Sequence, residues 1–226
     1  MFAPEVLFDL SQTEHAEVFS GCQQAWEALA KLADYINNRV QPVLKNRCEG
    51  VAYIGDHVFI GEGTLVEDGA MIKGPAIIGR NCQIRHNAYI RENVIIGDGC
   101  VVGNSCELKN ALLFNGCEVP HFNYVGDSIL GFKAHLGAGV ILSNLKLVPG
   151  NVTVIVDGKL IDTGLRKFGA LIGDHAQIGC NSVLNPGSII GRESVIYPCT
   201  NWRGVLPAGA VAKNKAPQEI VLRDKR

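Results

Sequence analysis

The chain has 226 residues, 47% of them apolar, with 21 basic and 22 acidic side chains and a formal net charge of −1. That length suits one sizeable core plus an appendage, and the apolar content excludes global disorder. The near-neutral charge excludes a general drive toward nucleic acid or an anionic membrane, so any anion site has to be a local cluster.

The start, MFAPEVLFDLSQTEHAE, carries acidic residues early and lacks a basic stretch followed by a long apolar run, and no later run reaches membrane-spanning length. This predicts a cytoplasmic protein without a membrane partner. Residues Asp9 to Lys45 read as the one helical region: Ser11 or Thr13 as cap, Glu14 completing a capping box, and Phe19, Cys22, Trp26, Leu29, Ala33 and Ile36 at helical spacing. Pro42 marks its end. Its apolar stripe must pack on the first coil of the next domain or on a partner subunit.

From Ile54 the period becomes six: Ile54, Ile60, Val66, Ile72, Ile78, Ile84, Ile90, Ile96, Val102, Leu108 and Phe114 keep one phase, and glycine often comes next. Four positions after each sits a mostly small or apolar residue, Cys82, Cys100 and Cys106 among them, which reads as reduced core cysteine rather than a disulfide framework. No helix has this period, and a hairpin meander would not place glycine every sixth residue. Short strands joined by tight turns, three hexads to an eighteen-residue coil, satisfy it, giving a mainly β fold, a parallel β-helix of stacked coils. After Val125 the phase slips by four residues and resumes at Leu130, Leu136 and Leu142, then again from Ile172 to Ile196.

Between these runs VTVIV-DG-KLID reads as a β-hairpin turning at Asp157-Gly158, in an inserted loop over 146–169 placed to cover a site. The expected organisation is a helical segment over 1–48, the β-helix over 49–215, and a tail over 216–226 with a frayed basic end, Arg223 to Arg226.

Eighteen-residue coils stack residues eighteen apart at about 4.8 Å. Lys73, Arg91 and Lys109 fall in that register, followed by Asp127, so Arg91 and Lys109 form either a phosphate clamp or a solvated edge. The chemically dense stretch is 119–145, where His121 precedes Tyr124 by three. An imidazole can take a proton from an amine near neutral pH, although a lone histidine on a repeat is more often an outward surface residue. The six histidines lack paired metal-ligand spacing, so no metal is expected.

The segments PHFNYVGDS, LGAGVILSNL and RKFGALIGDHAQIG resemble the acetyltransferase domain of the bifunctional uridylyltransferase and glucosamine-1-phosphate acetyltransferase, especially its archaeal-type relatives, over roughly residues 50 to 215. The resemblance implies a left-handed hexapeptide β-helix, acetyl-CoA as co-substrate, and transfer of its acetyl group to the amine of an amino-sugar 1-phosphate. It also implies a homotrimer with the donor held between subunits.

Position by position, the resemblance implies His121 as general base, Tyr124 as a substrate contact and Asn144 at the transfer centre. Glu107 is implied as an acidic neighbour of that centre, Arg91 and Lys109 as holders of the sugar phosphate, and Lys167 at the donor or phosphate site. Cys180 stands where the bacterial family has a serine near the donor, and His135 where it has a second asparagine, so donor affinity and sugar selectivity are the properties expected to differ. The implied chemistry is direct transfer, with backbone N–H groups or Asn144 as oxyanion donors. No glycine-rich nucleotide-binding segment is seen, so a uridylyltransferase is expected, if anywhere, as a separate partner. Galactosamine 1-phosphate or a nucleotide-linked amino sugar as acceptor, and a non-catalytic assembly subunit, are the competing expectations.

Overall fold

Stacked strands, mostly two or three residues long, build a parallel solenoid with three faces; the computed structural model describes residues 2–45, 47–156, 158–214 and 220–221. The second face carries nine parallel strands from Arg47–Cys48 to Val211–Ala212. The first face runs from Val43–Leu44 to Val205–Leu206 and the third from Tyr53–Ile54 to Asn201–Trp202. These two join into one hydrogen-bonded sheet because two long strands, Glu107–Leu113 and Tyr124–Leu130, continue from the third face around the corner onto the first.

The aliphatic period is the interior of this coil. Ile60, Ile78, Ile96, Leu113, Leu130, Ile172 and Ile190 pair in register from coil to coil, and each is fully buried. Side chains alternate across a strand, so every second residue enters this column while its neighbours face out. Cys82, Cys100 and Cys106 are buried and donate Sγ–H to the carbonyls of Gly97, Phe114 and Val119 at 3.1, 3.1 and 3.2 Å.

The register departs from strict eighteen at the two ends of the solenoid, across the insertion, and in the coils that carry the site. Ile96 pairs with Leu113, not with Phe114, and Leu113 with Leu130, so these coils are seventeen residues long. The missing residue is absorbed at the corner between third and first faces, where Asn110 and Asp127 both take φ of 46°. Asn and Asp tolerate this left-handed conformation better than other side chains. Phe114 instead joins an aromatic group, with ring centroids 5.1 Å from Phe8 and 6.0 Å from Phe19. As a second consequence Lys109 stacks under Gly126, and Asp127 stacks over Asn110 instead of continuing the cation column.

The N-terminal segment is not one helix from Asp9. It breaks into Pro4–Leu7, the tight turns Leu10–Gln12, Ala16–Phe19 and Ala25–Glu27, and a twelve-residue helix, Ala28–Arg39. Side-chain acceptors close turns where a cap was expected: the Asp9 carboxylate takes Ser11 N–H (3.1 Å) and Thr13 Oγ1 takes His15 N–H (3.2 Å), while Glu14 reaches Arg80 (3.3 Å). Gly21, at φ +72°, prevents a continuous helix. Leu29, Leu32 and Ile36 bury the helix against the first face of the chain's own solenoid.

The inserted hairpin, Thr153–Val156 with Lys159–Asp162, pairs as expected, with Gly158 at φ +75°; Asp157 lies outside the described residues, as do 222–226 and with them the expected basic end. Val152, Val154 and Phe168 are buried, and Phe168 meets Trp26 at 6.2 Å. The hairpin therefore adds to the covering of the first face and leaves His121 exposed, contrary to the expected lid. Among the described residues no helix is long and apolar enough to cross a membrane.

His15 gives this covering segment a pH dependence. Its Nδ1 meets Tyr35 Oη at 3.2 Å, and burial, helped by Arg39 and opposed by Asp98, pushes its imidazolium down to about 4. The unfolded chain protonates this group near 6.5. Stability is therefore undiminished above pH 6.5 and is lost as pH falls from 6.5 toward about 4, because the unfolded state takes the proton first. Melting curves should show this loss already between pH 6.5 and 5, before most carboxylates titrate, and His15→Gln should flatten it. An unchanged slope in the variant would reassign the effect.

Candidate active site on the third face

The outward positions of the third face bring the predicted cations together. Ile72, Ile90 and Leu108 pair in register, so Lys73, Arg91 and Lys109, each one residue later, stack on consecutive coils. Arg91 Nη1 donates to Glu107 Oε1 at 2.9 Å, and its Nη2 lies 3.4 Å from Glu92 Oε1. Lys109 Nζ is 3.9 Å from that same oxygen and Lys73 Nζ 3.9 Å from Glu92 Oε2. Three cations thus surround two carboxylates and leave one net positive charge. Glu107 raises the Arg91 guanidinium through its hydrogen bond. Burial works to raise the Glu92 carboxyl, but its own backbone N–H and the three cations outweigh it and hold it below the usual range.

Arg91 Nε and Glu92 Oε2 are shielded from solvent and have no hydrogen-bond partner among the described residues. Glu92 was missed in the sequence; its place immediately after Arg91, at the end of the strand, was the signal available.

One coil further on, Tyr124 stacks over Glu107. Its ring lies back over Gly126, where an added Cβ would come within 2.6 Å of both Tyr124 Oη and Asn144 Nδ2. Asn144 Nδ2 donates to Tyr124 Oη at 3.3 Å and makes a short hydrogen bond to Asp127 Oδ2, while Asn110 Nδ2 donates to Asp127 Oδ1 at 2.9 Å. Burial first, then Glu107 and Asp127, raises the Tyr124 hydroxyl, so it remains protonated. Asn144 Nδ2 has two hydrogens and both are engaged, which removes Asn144 as an oxyanion donor in this arrangement.

His121 sits at the opposite edge of the third face, stacked over Asn104 at the corner with the second. Its backbone is fixed by Asn123 Oδ1 (3.0 Å) and by Gly139 N–H (3.0 Å), and its ring is exposed. None of the described pockets is lined by His121. Ala138 and then Cys180 continue the same corner on the next two coils. Beside Cys180 lies a groove of about 330 Å³ formed with His135, Gly137, Gly179, Tyr197 and Pro198. His135 itself pairs loosely with Glu118, at 3.8 Å. Lys167 bridges to Leu145 next to Asn144, so within one chain it and Cys180 occupy opposite edges of the third face instead of forming one donor cradle.

Repeat, register and cation-bearing face define a hexapeptide-repeat β-solenoid. Residues 51–91 and 169–201 match bacterial transferase hexapeptide repeats (six repeats), and residues 72–164 match the GMPPB C-terminal domain. A bifunctional sugar-1-phosphate nucleotidylyltransferase/acetyltransferase of Sulfurisphaera tokodaii is 41% identical over 92 residues, 41% of this chain and 23% of that protein. The bifunctional protein GlmU of Methanococcus vannielii is 37% identical over 90 residues, 40% of this chain and 22% of that protein. The match thus spans less than a quarter of the length of either relative. Among solved structures, a variant of GDP-perosamine N-acetyl transferase from Caulobacter crescentus, in complex with CoA and GDP-perosamine, is 19% identical, covering 74% of this chain and 52% of that one at a TM-score of 0.29.

Proposed function

We propose that the chain is an acetyl-CoA-dependent N-acetyltransferase for an amino-sugar 1-phosphate such as glucosamine 1-phosphate, working as a homotrimer. The observation that carries this reading is the stacking of Arg91 and Lys109 on adjacent coils, immediately below the Tyr124 and Asn144 pair. A planar guanidinium beside an ammonium, in a cluster with one net positive charge, suits a sugar phosphate, and it would hold the sugar against groups able to contact its hydroxyls and amine.

In this reading His121 takes the proton from the acceptor amine as the nitrogen bonds to the thioester carbonyl carbon. The carbon–sulfur bond breaks, and the proton passes on to the departing thiolate. The corner His121, Ala138, Cys180 and its adjoining groove would receive the slender arm of the donor, with Lys167 supplied from the far edge of a second copy. An exposed base suits a site completed between copies. The N-acetyl sugar phosphate produced would suit a separate uridylyltransferase.

Thiol release from acetyl-CoA should be measured with glucosamine 1-phosphate, galactosamine 1-phosphate, a nucleotide-linked amino sugar and plain glucosamine. A phosphorylated acceptor should react and plain glucosamine should not. Sugar-phosphate binding without acetyl-CoA binding or thiol release would sink the enzyme reading in favour of an assembly platform.

A further inference from the structure

The corner that shortens two coils also builds a ladder of three polar side chains on successive turns, Asn110, Asp127 and Asn144. Asp127 is 5% exposed, and each carboxylate oxygen accepts an amide N–H from a different neighbour. An ionised carboxylate can only accept, so the atom of Asn144 that faces it has to be nitrogen. That fixes which way the Asn144 amide is turned, independently of any choice between its two terminal atoms. Its second hydrogen goes to Tyr124 Oη. Asn144 Oδ1 receives no hydrogen bond from a described residue, and Asn144 is half-buried. The Tyr124 oxygen, having accepted, keeps its own O–H to give.

We propose that Asp127 is a positioning residue that locks the Asn144 amide, so that the site offers Asn144 Oδ1 as acceptor and the Tyr124 hydroxyl as donor. The proposal rests on the acyl-transfer reading. The acceptor oxygen is suited to an N–H of the attacking amine, which would aim its lone pair toward the thioester. The Tyr124 hydroxyl is suited to the oxygen that gains charge, the role that Asn144 cannot fill. The chain from carboxylate to amide to phenol polarises in one direction, each bond strengthening the next. The backbone anchors the ladder independently: the returning end of the insertion donates Phe168 N–H to Asn144 O (2.9 Å) and Gly169 N–H to Asp127 O (2.8 Å). Gly169 has to be glycine, since a Cβ there would lie 2.4 Å from Gly126 O.

Asp127→Asn keeps shape and tolerance of the left-handed backbone but places one oxygen and one NH₂ between two NH₂ groups, so a neighbouring amide has to turn. kcat should fall roughly 10- to 100-fold, as for other small misplacements of reacting groups, with the KM for acetyl-CoA moved by less than about 2-fold. The exchanged pair, Asn110→Asp with Asp127→Asn, moves the carboxylate one coil down. The amide introduced by Asp127→Asn would then give its NH₂ to the new acid and turn its oxygen to Asn144, restoring the lock and most of kcat. The side-chain amide resonances of Asn144, identified by their loss in Asn144→Ser, should shift in the single variant and return in the exchanged pair.

Unchanged kcat in Asp127→Asn, or an exchanged pair as impaired as the single variant, would overturn the proposal. If the unaltered protein releases no thiol with any acceptor, the acyl-transfer reading fails instead, and the amide resonances alone decide whether Asp127 holds Asn144. A merely structural ladder would lower the melting temperature in both variants without the recovery of kcat.

Discussion

His121→Ala is expected to lower kcat for glucosamine 1-phosphate by about 10²- to 10⁴-fold, the usual contribution of a positioned general base. The substitution is a clean one. The imidazole is exposed and has no hydrogen bond or ring contact among the described residues, whereas the backbone is held through groups that alanine retains, the N–H on Asn123 Oδ1 and the carbonyl on Gly139 N–H. Removing an exposed side chain of this kind changes stability by less than about 0.5 kcal/mol. KM for the sugar phosphate should barely move, because the clamp lies on the other side of Tyr124. A variant that folds, binds acceptor normally and turns over at the original rate would remove His121 from the chemistry. Raised pH should then recover part of the variant's rate by deprotonating the amine in solution.

How much of this is legible in the sequence depends on what periodicity can carry. The sixfold return of aliphatic residues is a statement about which side chains go inside, and from Ile60 to Ile96 the interior ladder follows it residue for residue. It carries Arg91 onto Lys109 correctly for the same reason. It fails at Phe114 because Leu113 is equally apolar: hydrophobicity cannot choose between adjacent candidates when a coil loses one residue. The residue is lost at the corner of Asn110 and Asp127, both at φ 46°, although Asn93 at the same corner one coil earlier has φ 60° and its coil keeps eighteen residues. Nothing in these two polar residues, seventeen apart, marks the lost position, and the same slip conceals the ladder of Asn110, Asp127 and Asn144.

The helical region misleads for a related reason. Phe19, Cys22 and Trp26 have helical spacing, yet Gly21 and local turns closed by Asp9 and Thr13 break the segment, and burial against the solenoid sets its path. The family likeness implies Lys167 at the donor or phosphate site and Cys180 near the donor. Within one chain the fold places them on opposite edges of the third face, a separation that likeness along the sequence does not reveal.

Arg91→Ala should raise KM for the phosphorylated acceptor by about 10- to 150-fold, the equivalent of roughly 1.5–3 kcal/mol for a hydrogen bond to a charged group. The loss has two parts. The guanidinium supplies a planar donor pair that an ammonium cannot copy, so Arg91→Lys should recover little of it. Its removal also takes the cluster from one net positive charge to none, leaving Glu92 and Glu107 facing the incoming phosphate with only Lys73 and Lys109 to balance them. The opposite change tests this sign: Glu92→Gln deletes a carboxylate from among three cations and should tighten the phosphorylated acceptor, more so at low salt, where exposed charges are least screened. Slow turnover of unphosphorylated glucosamine, if forced at high concentration, should be indifferent to both variants because it has no group to place in the clamp. If Arg91→Ala weakens glucosamine and glucosamine 1-phosphate equally, Arg91 acts by holding Glu107 and the strand edge in place, and the phosphate has to be recognised elsewhere.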